Sequence, residues 1–212
     1  MLRFKFHVVP AVFAASLIST HAFDGRRQGF ILGGGLGPSF NSYSFKESFR
    51  SYPRQNVPGL GVDERIGVGL NSRFLLMYYG NFNLFNGNNG RVRGFSGNDV
   101  IGGIGFFVYL KDDSVFAPSP YLLGGIGIGV WTVPEIRDSS GSLVYSNGGD
   151  LGEPATGTAF TFGVGYEFVK HWSVQLDLTK ADCSQVNGWA GPPYSFDVKS
   201  YAVQLKLMAL AY

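Results

Sequence analysis

The fold class of this protein is decided by residues 158–168, TAFTFGVGYEF. Large apolar side chains fill every second position of this stretch, namely Phe160, Phe162, Val164, Tyr166 and Phe168. The positions between them hold small or polar residues, namely Ala159, Thr161, Gly163, Gly165 and Glu167. Because successive side chains of a β-strand point to opposite faces of the sheet, this alternation predicts a strand with one apolar face.

The same alternation recurs along the chain. Eight runs share it: 29–40, 59–70, 74–84, 99–110, 121–132, 157–168, 172–180 and 200–211. No stretch of useful length has the i, i+3, i+4, i+7 apolar spacing of an amphipathic helix. The sequence therefore predicts an all-β protein with eight strands.

The connections between these runs fall into two length classes. Residues 71–73 and 169–171 form tight turns, and residues 111–120 form a medium one. The remaining connections are long, polar and rich in Gly, Asn, Ser and Pro: 41–58, 85–98, 133–156 and 181–199. An even number of antiparallel strands, with short turns at one end and long loops at the other, is typical of bacterial membrane barrels. We therefore predict an eight-stranded antiparallel up-and-down transmembrane β-barrel.

The first 22 residues have the pattern of a secretory signal. Arg3 and Lys5 form a basic start, residues 8–18 form an apolar stretch, and Ala22 is a small residue suited to cleavage. The apolar stretch is too short for a transmembrane helix. We expect residues 1–22 to be a signal peptide and residues 23–212 to form the barrel domain, exported to the bacterial outer membrane.

A soluble eight-stranded barrel of the lipocalin type is the competing interpretation, because it places the apolar face inside. Glycine favours the membrane barrel, since most glycines of the eight runs share a face with charged residues, and small residues suit a narrow barrel interior. Aromatic residues favour it as well, because they collect where strands end, as two interfacial belts would. These residues are Phe74, Phe168 and Trp172 beside the short turns, and Tyr43, Phe45, Phe82 and Phe85 toward the long loops.

Composition argues against several other classes of protein. The chain has 212 residues, 17 Lys and Arg against 15 Asp and Glu, and a single cysteine, Cys183. This balance offers no polyanion-binding surface, and one cysteine offers no disulfide framework, so we expect no nucleic-acid partner and no metal site. Pro38 or Pro134, rather than a helix, follows the glycine stretches, so these do not predict a phosphate or cofactor site.

The sequence resembles the small outer-membrane β-barrel proteins of Gram-negative bacteria, a superfamily that includes the OmpA transmembrane domain, OmpX and OmpW. The motifs that carry the resemblance are residues 29–37 (GFILGGGLG) after the signal-like segment, the glycine motifs at 102–105 and 124–129, the segment 169–177 (VKHWSVQLD) and the aromatic Tyr212. The resemblance implies a membrane barrel that the barrel-assembly machinery inserts. It does not identify an activity, because a fold does not determine a function.

Four charged residues fall on the predicted interior face of the barrel: Arg65, Glu167, Asp177 and Lys206. Charges inside a narrow barrel are costly unless they pair. We therefore expect a mutually satisfied charge network that plugs the interior. A network that opens as a gate for ions or small solutes is the alternative, and the sequence does not say which charges pair.

The long loops carry basic and aromatic residues that suit contact with another surface. These candidate contact residues are Arg50, Tyr52, Arg54, Arg91, Arg93, Tyr145, Trp189 and Tyr194. Outer-membrane lipid and lipopolysaccharide are the expected partners, together with a host or cell-surface ligand. The alternative is that these residues pack against one another inside the loops and contact no other surface.

The predicted function is a structural or surface-interaction role of a monomeric barrel with a plugged polar interior. A small gated channel for ions or hydrophobic solutes is the first alternative. A lipid-modifying enzyme is the second, and it would need a nucleophile with an activating base. His171 and Ser173 are the residues available for that pair, but no carboxylate is placed in sequence to complete a triad, so we expect no enzyme.

Overall fold

A computed structural model gives the architecture of residues 27–47, 50–51, 53–86, 92–93, 95–112, 118–132, 135–137, 143–146, 155–187 and 194–212. The expected signal peptide, residues 1–22, lies outside this described part of the chain. Eight long strands form the barrel: β1 (Gly29–Glu47), β2 (Gln55–Gly69), β3 (Phe74–Asn86), β4 (Phe95–Tyr109), β5 (Ser119–Thr132), β6 (Ala155–Val169), β7 (Trp172–Asn187) and β8 (Tyr194–Ala211).

The eight strands close on themselves. Each pairs antiparallel with its neighbour in sequence, and β1 also pairs with β8, from Leu32 opposite Ala211 to Glu47 opposite Phe196. This closure confirms the predicted eight-stranded up-and-down barrel. Across the described ranges, no helix is long and apolar enough to span a membrane.

Most of the strands are longer than the apolar alternation predicts, and most of the extra length lies at the long-loop end. β1 continues beyond residue 40 to Glu47, and β7 continues beyond residue 180 to Asn187. The ladder persists there because backbone pairing does not require apolar side chains. Ser42, for example, pairs with Asn56 of β2. The loops are correspondingly shorter than the polar segments from which they were predicted.

The second and third long loops also contain strands of their own. Val92–Arg93 pairs with Glu135–Arg137, which pairs in turn with Leu143–Ser146. These three short strands form a separate sheet. The two loops are therefore joined by backbone hydrogen bonds at the long-loop end of the barrel.

The apolar face of every strand points outward. Phe162 and Leu176 are 61% and 47% exposed, whereas the alternate residues Thr161 and Asp177 are 4% and 1% exposed. A water-soluble barrel would reverse this arrangement and place its polar face outside. The outward apolar band is therefore the lipid-facing surface of a transmembrane barrel.

One expectation about the aromatic belts is wrong. Tyr43 and Phe85 face the interior rather than the lipid, with 1% and 2% exposure. Their rings stack at 5.5 Å, and Trp131 lies 5.3 Å from Tyr43. The reason is parity, because Tyr43 is in phase with the inward Ile31 and Phe85 with the inward Leu75. The three rings fill the long-loop end of the barrel.

The outward face supplies a test of membrane insertion. Replacing Leu176 by Arg places a charge in the middle of the apolar band, where it costs about 2–4 kcal/mol in a bilayer. We expect the free energy of unfolding from phosphatidylcholine vesicles, measured by urea titration, to fall by that amount. Ser184→Arg, on the same face of β7 beyond the apolar band, is the matched control. Equal effects of the two substitutions would contradict a membrane-spanning face.

Candidate functional site

The barrel interior brings together four charged side chains near mid-height. Asp63 and Arg65 come from β2, Asp177 from β7 and Lys206 from β8. Asp63 and Arg65 point the same way because they are two residues apart on one strand. All four side chains are at most 4% exposed. We call this group the charged layer.

Asp63 is the shared acceptor of the charged layer. Arg65 Nε donates to Asp63 Oδ1 at 2.7 Å, and Lys206 Nζ donates to Asp63 Oδ2 at 2.6 Å. Lys206 Nζ also lies 2.5 Å from Asp177 Oδ2. The layer holds two cations and two carboxylates, so its formal charge is zero. Pairing of this kind is what allows ionised groups to remain buried.

Neutral side chains extend the charged layer across the lumen. Arg65 Nη2 donates to Gln175 Oε1 at 2.7 Å, and the Tyr121 hydroxyl donates to the same oxygen at 2.9 Å. The Arg65 guanidinium also lies over the Phe107 ring, 4.5 Å from its centroid. The cavity that remains beside these groups is about 10 Å³, which is room for a single water molecule. The interior is therefore filled at this level.

A second polar level lies toward the long loops. Gln204 Nε2 donates to the side-chain oxygens of Asn81 and Asn83, at 2.8 and 2.6 Å. These bonds cross the lumen from β8 to β3. Thr161 and Thr179, which are register partners on the neighbouring strands β6 and β7, share a hydrogen bond of 3.0 Å. The aromatic cluster of Tyr43, Phe85 and Trp131 closes the interior beyond this level.

Glu167 does not join the other three predicted lumen charges. It lies at the short-turn end, where its Oε2 is 3.0 Å from Arg27 Nη2 and its Oε1 accepts a hydrogen bond from the Tyr212 hydroxyl. Arg27 Nη1 also donates to the carbonyl oxygen of Lys111 at 3.1 Å, and the guanidinium lies 3.9 Å from the Tyr109 ring centroid. The interior thus holds two separate ionic groups, and the second group closes the short-turn end.

The two residues considered for catalysis face different partners. His171 Nδ1 lies 2.8 Å from the carbonyl oxygen of Leu210, and the imidazole lies against the Tyr212 ring, with the centroids 4.6 Å apart and the planes tilted by 46°. Burial in this turn lowers the pKa of the His171 imidazole, although the bond to Leu210 partly opposes that shift. The Ser173 hydroxyl points inward and shares a 3.0 Å hydrogen bond with Tyr121. Within the described residues, no hydrogen bond joins His171 to Ser173.

The predicted loop residues are only partly described. Arg54 is exposed at the start of β2, and its guanidinium lies 5.0 Å from the Tyr201 ring centroid. The backbone alone places four others in strands: Arg50, Arg93, Tyr145 and Tyr194. Tyr52, Arg91 and Trp189 lie outside the described residues. The register sets Arg93 opposite Glu135 in the loop sheet.

Sequence reasoning missed Asp63 and Arg27, although each is central to its ionic group. Asp63 was detectable, because it is in phase with Arg65 on β2. Arg27 precedes the first apolar alternation, so no strand pattern assigned it to a face.

Cys183 is buried in the wall near the long-loop end. No group of three or more potential metal ligands occurs in the described part of the chain.

Several solved structures similar to this chain are small outer-membrane barrels. OprG from Pseudomonas aeruginosa is 14% identical, with 89% of this chain and 99% of OprG covered and a TM-score of 0.48. Neisserial surface protein A is 12% identical, with 83% and 96% covered and a TM-score of 0.46. The Yersinia pestis attachment invasion locus protein Ail is 12% identical, with 85% and 99% covered and the same TM-score, 0.46. No protein-family model and no curated protein matches the chain.

The shared carboxylate of the charged layer gives a stability prediction. Asp63→Asn removes the anion between Arg65 and Lys206 and leaves the layer with uncompensated positive charge. We expect the free energy of unfolding in detergent or lipid to fall by about 3–5 kcal/mol, as for other broken buried pairs. The exposed carboxylate of Asp182, which pairs with Lys180 at 2.9 Å, provides the control. Asp182→Asn should leave stability unchanged, and an equally small effect of Asp63→Asn would contradict a structural role for the layer.

Proposed function

We propose that the protein is an outer-membrane barrel whose interior is sealed and which acts through the surface that its long loops present outside the cell. The observation that carries the proposal is the charged layer, because its formal charge is zero and its paired side chains fill the lumen. Eight strands leave an interior that side chains can fill. The outward apolar band and the loop asymmetry support the location.

The sealed interior rests on several levels rather than on one contact. The charged layer lies between the Arg27–Glu167 pair at the short-turn end and the aromatic cluster at the long-loop end. Each level uses side chains from non-adjacent strands, as in the bonds from Gln204 to Asn81 and Asn83. An ion crossing the barrel would have to displace all of them. A structural and surface role therefore suits this interior better than conduction.

The long-loop end has features that suit contact with another surface. The barrel strands continue beyond the apolar band, and the short loop strands tie the second and third loops together. Loops held on a rigid scaffold are common sites of binding. Lipopolysaccharide is the partner that we propose first, because its phosphates would meet basic residues such as Arg54 at the membrane surface. A host or cell-surface ligand is a further candidate for the same loops.

A small gated channel is the second candidate function, and the water-sized cavity beside Arg65 favours it. That cavity lies against the ion pairs, so a rearrangement of the pairs would have a place to begin. Lipid-modifying catalysis is not part of the proposal, because Ser173 and His171 are engaged with Tyr121 and Leu210.

Conductance distinguishes the sealed barrel from the channel. The refolded protein should show no opening events in planar bilayers. A quadruple variant, Asp63→Ala, Arg65→Ala, Asp177→Ala and Lys206→Ala, removes the charged layer without changing net charge. The Arg27–Glu167 pair and the aromatic cluster remain in place in this variant, so we expect it to stay closed when it folds, as judged by the mobility shift of unheated samples.

Either of two results would contradict a lumen that is sealed at several levels. Stable openings of the unaltered protein would assign it a channel function. Openings of the folded quadruple variant alone would show that the charged layer by itself closes the lumen and that the other two levels do not.

Binding of lipopolysaccharide tests the surface role. Arg50→Ala with Arg54→Ala removes two positive charges from the long-loop end. Arg73→Ala with Lys111→Ala removes two from the short-turn end and is the matched control. We expect the first pair to raise the Kd for lipopolysaccharide micelles about fivefold by titration calorimetry, in proportion to modest surface ion pairs. Equal weakening by both pairs, or by neither, would argue against recognition by the loops.

A further inference from the structure

One carboxylate faces the lipid rather than the lumen. Glu64 lies on β2 between the inward residues Asp63 and Arg65, so its side chain points outward and is exposed. The outward residues on both sides of it along the strand are apolar. They are Ile66, Val68 and Leu70 toward the short turns, and Val62, Leu60 and Pro58 toward the long loops. Glu64 is therefore in the middle of the lipid-facing band.

Glu64 lies in a shallow notch in the barrel wall. The residues that pair with it are Gly34 on β1 and Gly80 on β3, both outward-facing glycines. A Cβ at residue 80 would be 2.8 Å from Oε1 of Glu64, so the carboxylate rests over Gly80. A Cβ at residue 34 would come within 4 Å of only one atom, the Asp63 carbonyl oxygen, at 3.0 Å. The notch thus holds the carboxylate over Gly80, whereas no side-chain atom lies within 4 Å of a Cβ at residue 34 and both glycines lie below the surrounding side chains.

A second polar group faces the same notch. A Cβ at Gly102 of β4 would be 3.2 Å from the Tyr78 hydroxyl, so that hydroxyl leans over Gly102. Gly102 has a φ of +76° at an irregularity in the β3–β4 ladder, a conformation that favours glycine. Tyr78 is outward and 49% exposed. The Glu64 carboxylate and the Tyr78 hydroxyl therefore both lie over a row that includes three glycines, on β1, β3 and β4.

Neither polar group has a partner among the described residues. No ion pair or hydrogen bond within them reaches the Glu64 carboxylate or the Tyr78 hydroxyl. An ionisable side chain in the lipid region is costly and usually marks a functional site. The outward cations of the described strands, such as Lys180 and Lys199, lie near the long loops rather than at the level of Glu64.

We propose that the notch formed by Gly34, Glu64, Gly80, Gly102 and Tyr78 is a binding site for an amphiphile that carries a protonated amine on an apolar chain. The ammonium group would pair with the Glu64 carboxylate and donate to the Tyr78 hydroxyl. The apolar chain would lie along the row of glycines, between Leu36 and Ile66. This site is independent of the surface role proposed for the loops.

Charge complementarity selects this occupant over a second copy of the chain. Copies inserted in the same orientation present Glu64 at the same height, so a two-fold contact through the notch would bring like charges together. An ammonium ion instead supplies the opposite charge in a medium that screens it little. A lipid-soluble amine also reaches the site directly from the bilayer.

Electron paramagnetic resonance of nitroxide-labelled lipids tests the site. The refolded protein in phosphatidylcholine bilayers would be compared with labelled stearylamine and labelled stearic acid. We expect the motionally restricted fraction to show that the labelled amine binds about fivefold more strongly than the labelled acid. The reason is that the Glu64 carboxylate, in a medium of low dielectric constant, attracts the ammonium group and repels the fatty-acid carboxylate. Glu64→Gln should reduce that preference to about one.

Two further variants test the space over Gly80 and the Tyr78 hydroxyl, and a third serves as a control for the loss of an outward carboxylate. Gly80→Val retains the charge but fills the position where the carboxylate rests, so it should weaken amine binding. Tyr78→Phe removes one hydrogen-bond acceptor and should weaken it less than Glu64→Gln does. Asp182→Asn removes an outward carboxylate above the lipid band and should behave as the unaltered protein. Each variant is first checked for folding by its mobility shift.

Two results would overturn the proposal. The first is a restricted fraction that is the same for amine and acid in the unaltered protein. The second is an amine preference that persists in folded Glu64→Gln. If the first result accompanies cross-linking of copies through residue 64, the notch is instead a contact between copies.

Discussion

The structure depends on one constraint, which is that hydrocarbon offers no partner for backbone N–H and C=O groups. A sheet that meets this constraint has to close, and here it closes through the pairing of β1 with β8. Closure of the sheet determines where each kind of side chain can lie. Apolar side chains must point outward, polar and small side chains must share the lumen, and eight strands leave a lumen narrow enough for side chains to fill.

Charged side chains are stable inside such a lumen only if positive and negative charges cancel at each level. Asp63 achieves this by accepting from both Arg65 and Lys206, while Asp177 balances the second cation. At the short-turn end, Glu167 balances Arg27 in the same way. The interior is thus a stack of neutral levels rather than one continuous network. Glu64 is the exception, because it is placed on the lipid side, where no described side chain balances it.

Alternation was sufficient to predict the eight strands and the face that each of Arg65, Asp177 and Lys206 occupies, and the lengths of the connections predicted that the strands close into a barrel. Alternation could not predict which charged side chains pair with each other. Pairing across the lumen depends on the stagger between strands, and the stagger leaves no local pattern in the sequence. For that reason Glu167 was grouped with the wrong charges. Parity, if applied residue by residue, would have placed Tyr43 inside and Glu64 outside. Tyr43 was assigned instead to an outer belt because aromatic residues crowd the strand ends, and Glu64 stands alone on a face that is otherwise apolar.

The seam between β1 and β8 also constrains how the barrel can form. It joins the strands that are farthest apart in sequence, so its loop-closure entropy is the largest of any strand pair. Until the seam closes, every partial sheet has two open edges that hydrocarbon penalises and that neighbouring chains could pair with. Insertion into the bilayer and closure of the seam are therefore coupled late in folding. A sheet lacking either strand has no low-energy resting state within the membrane.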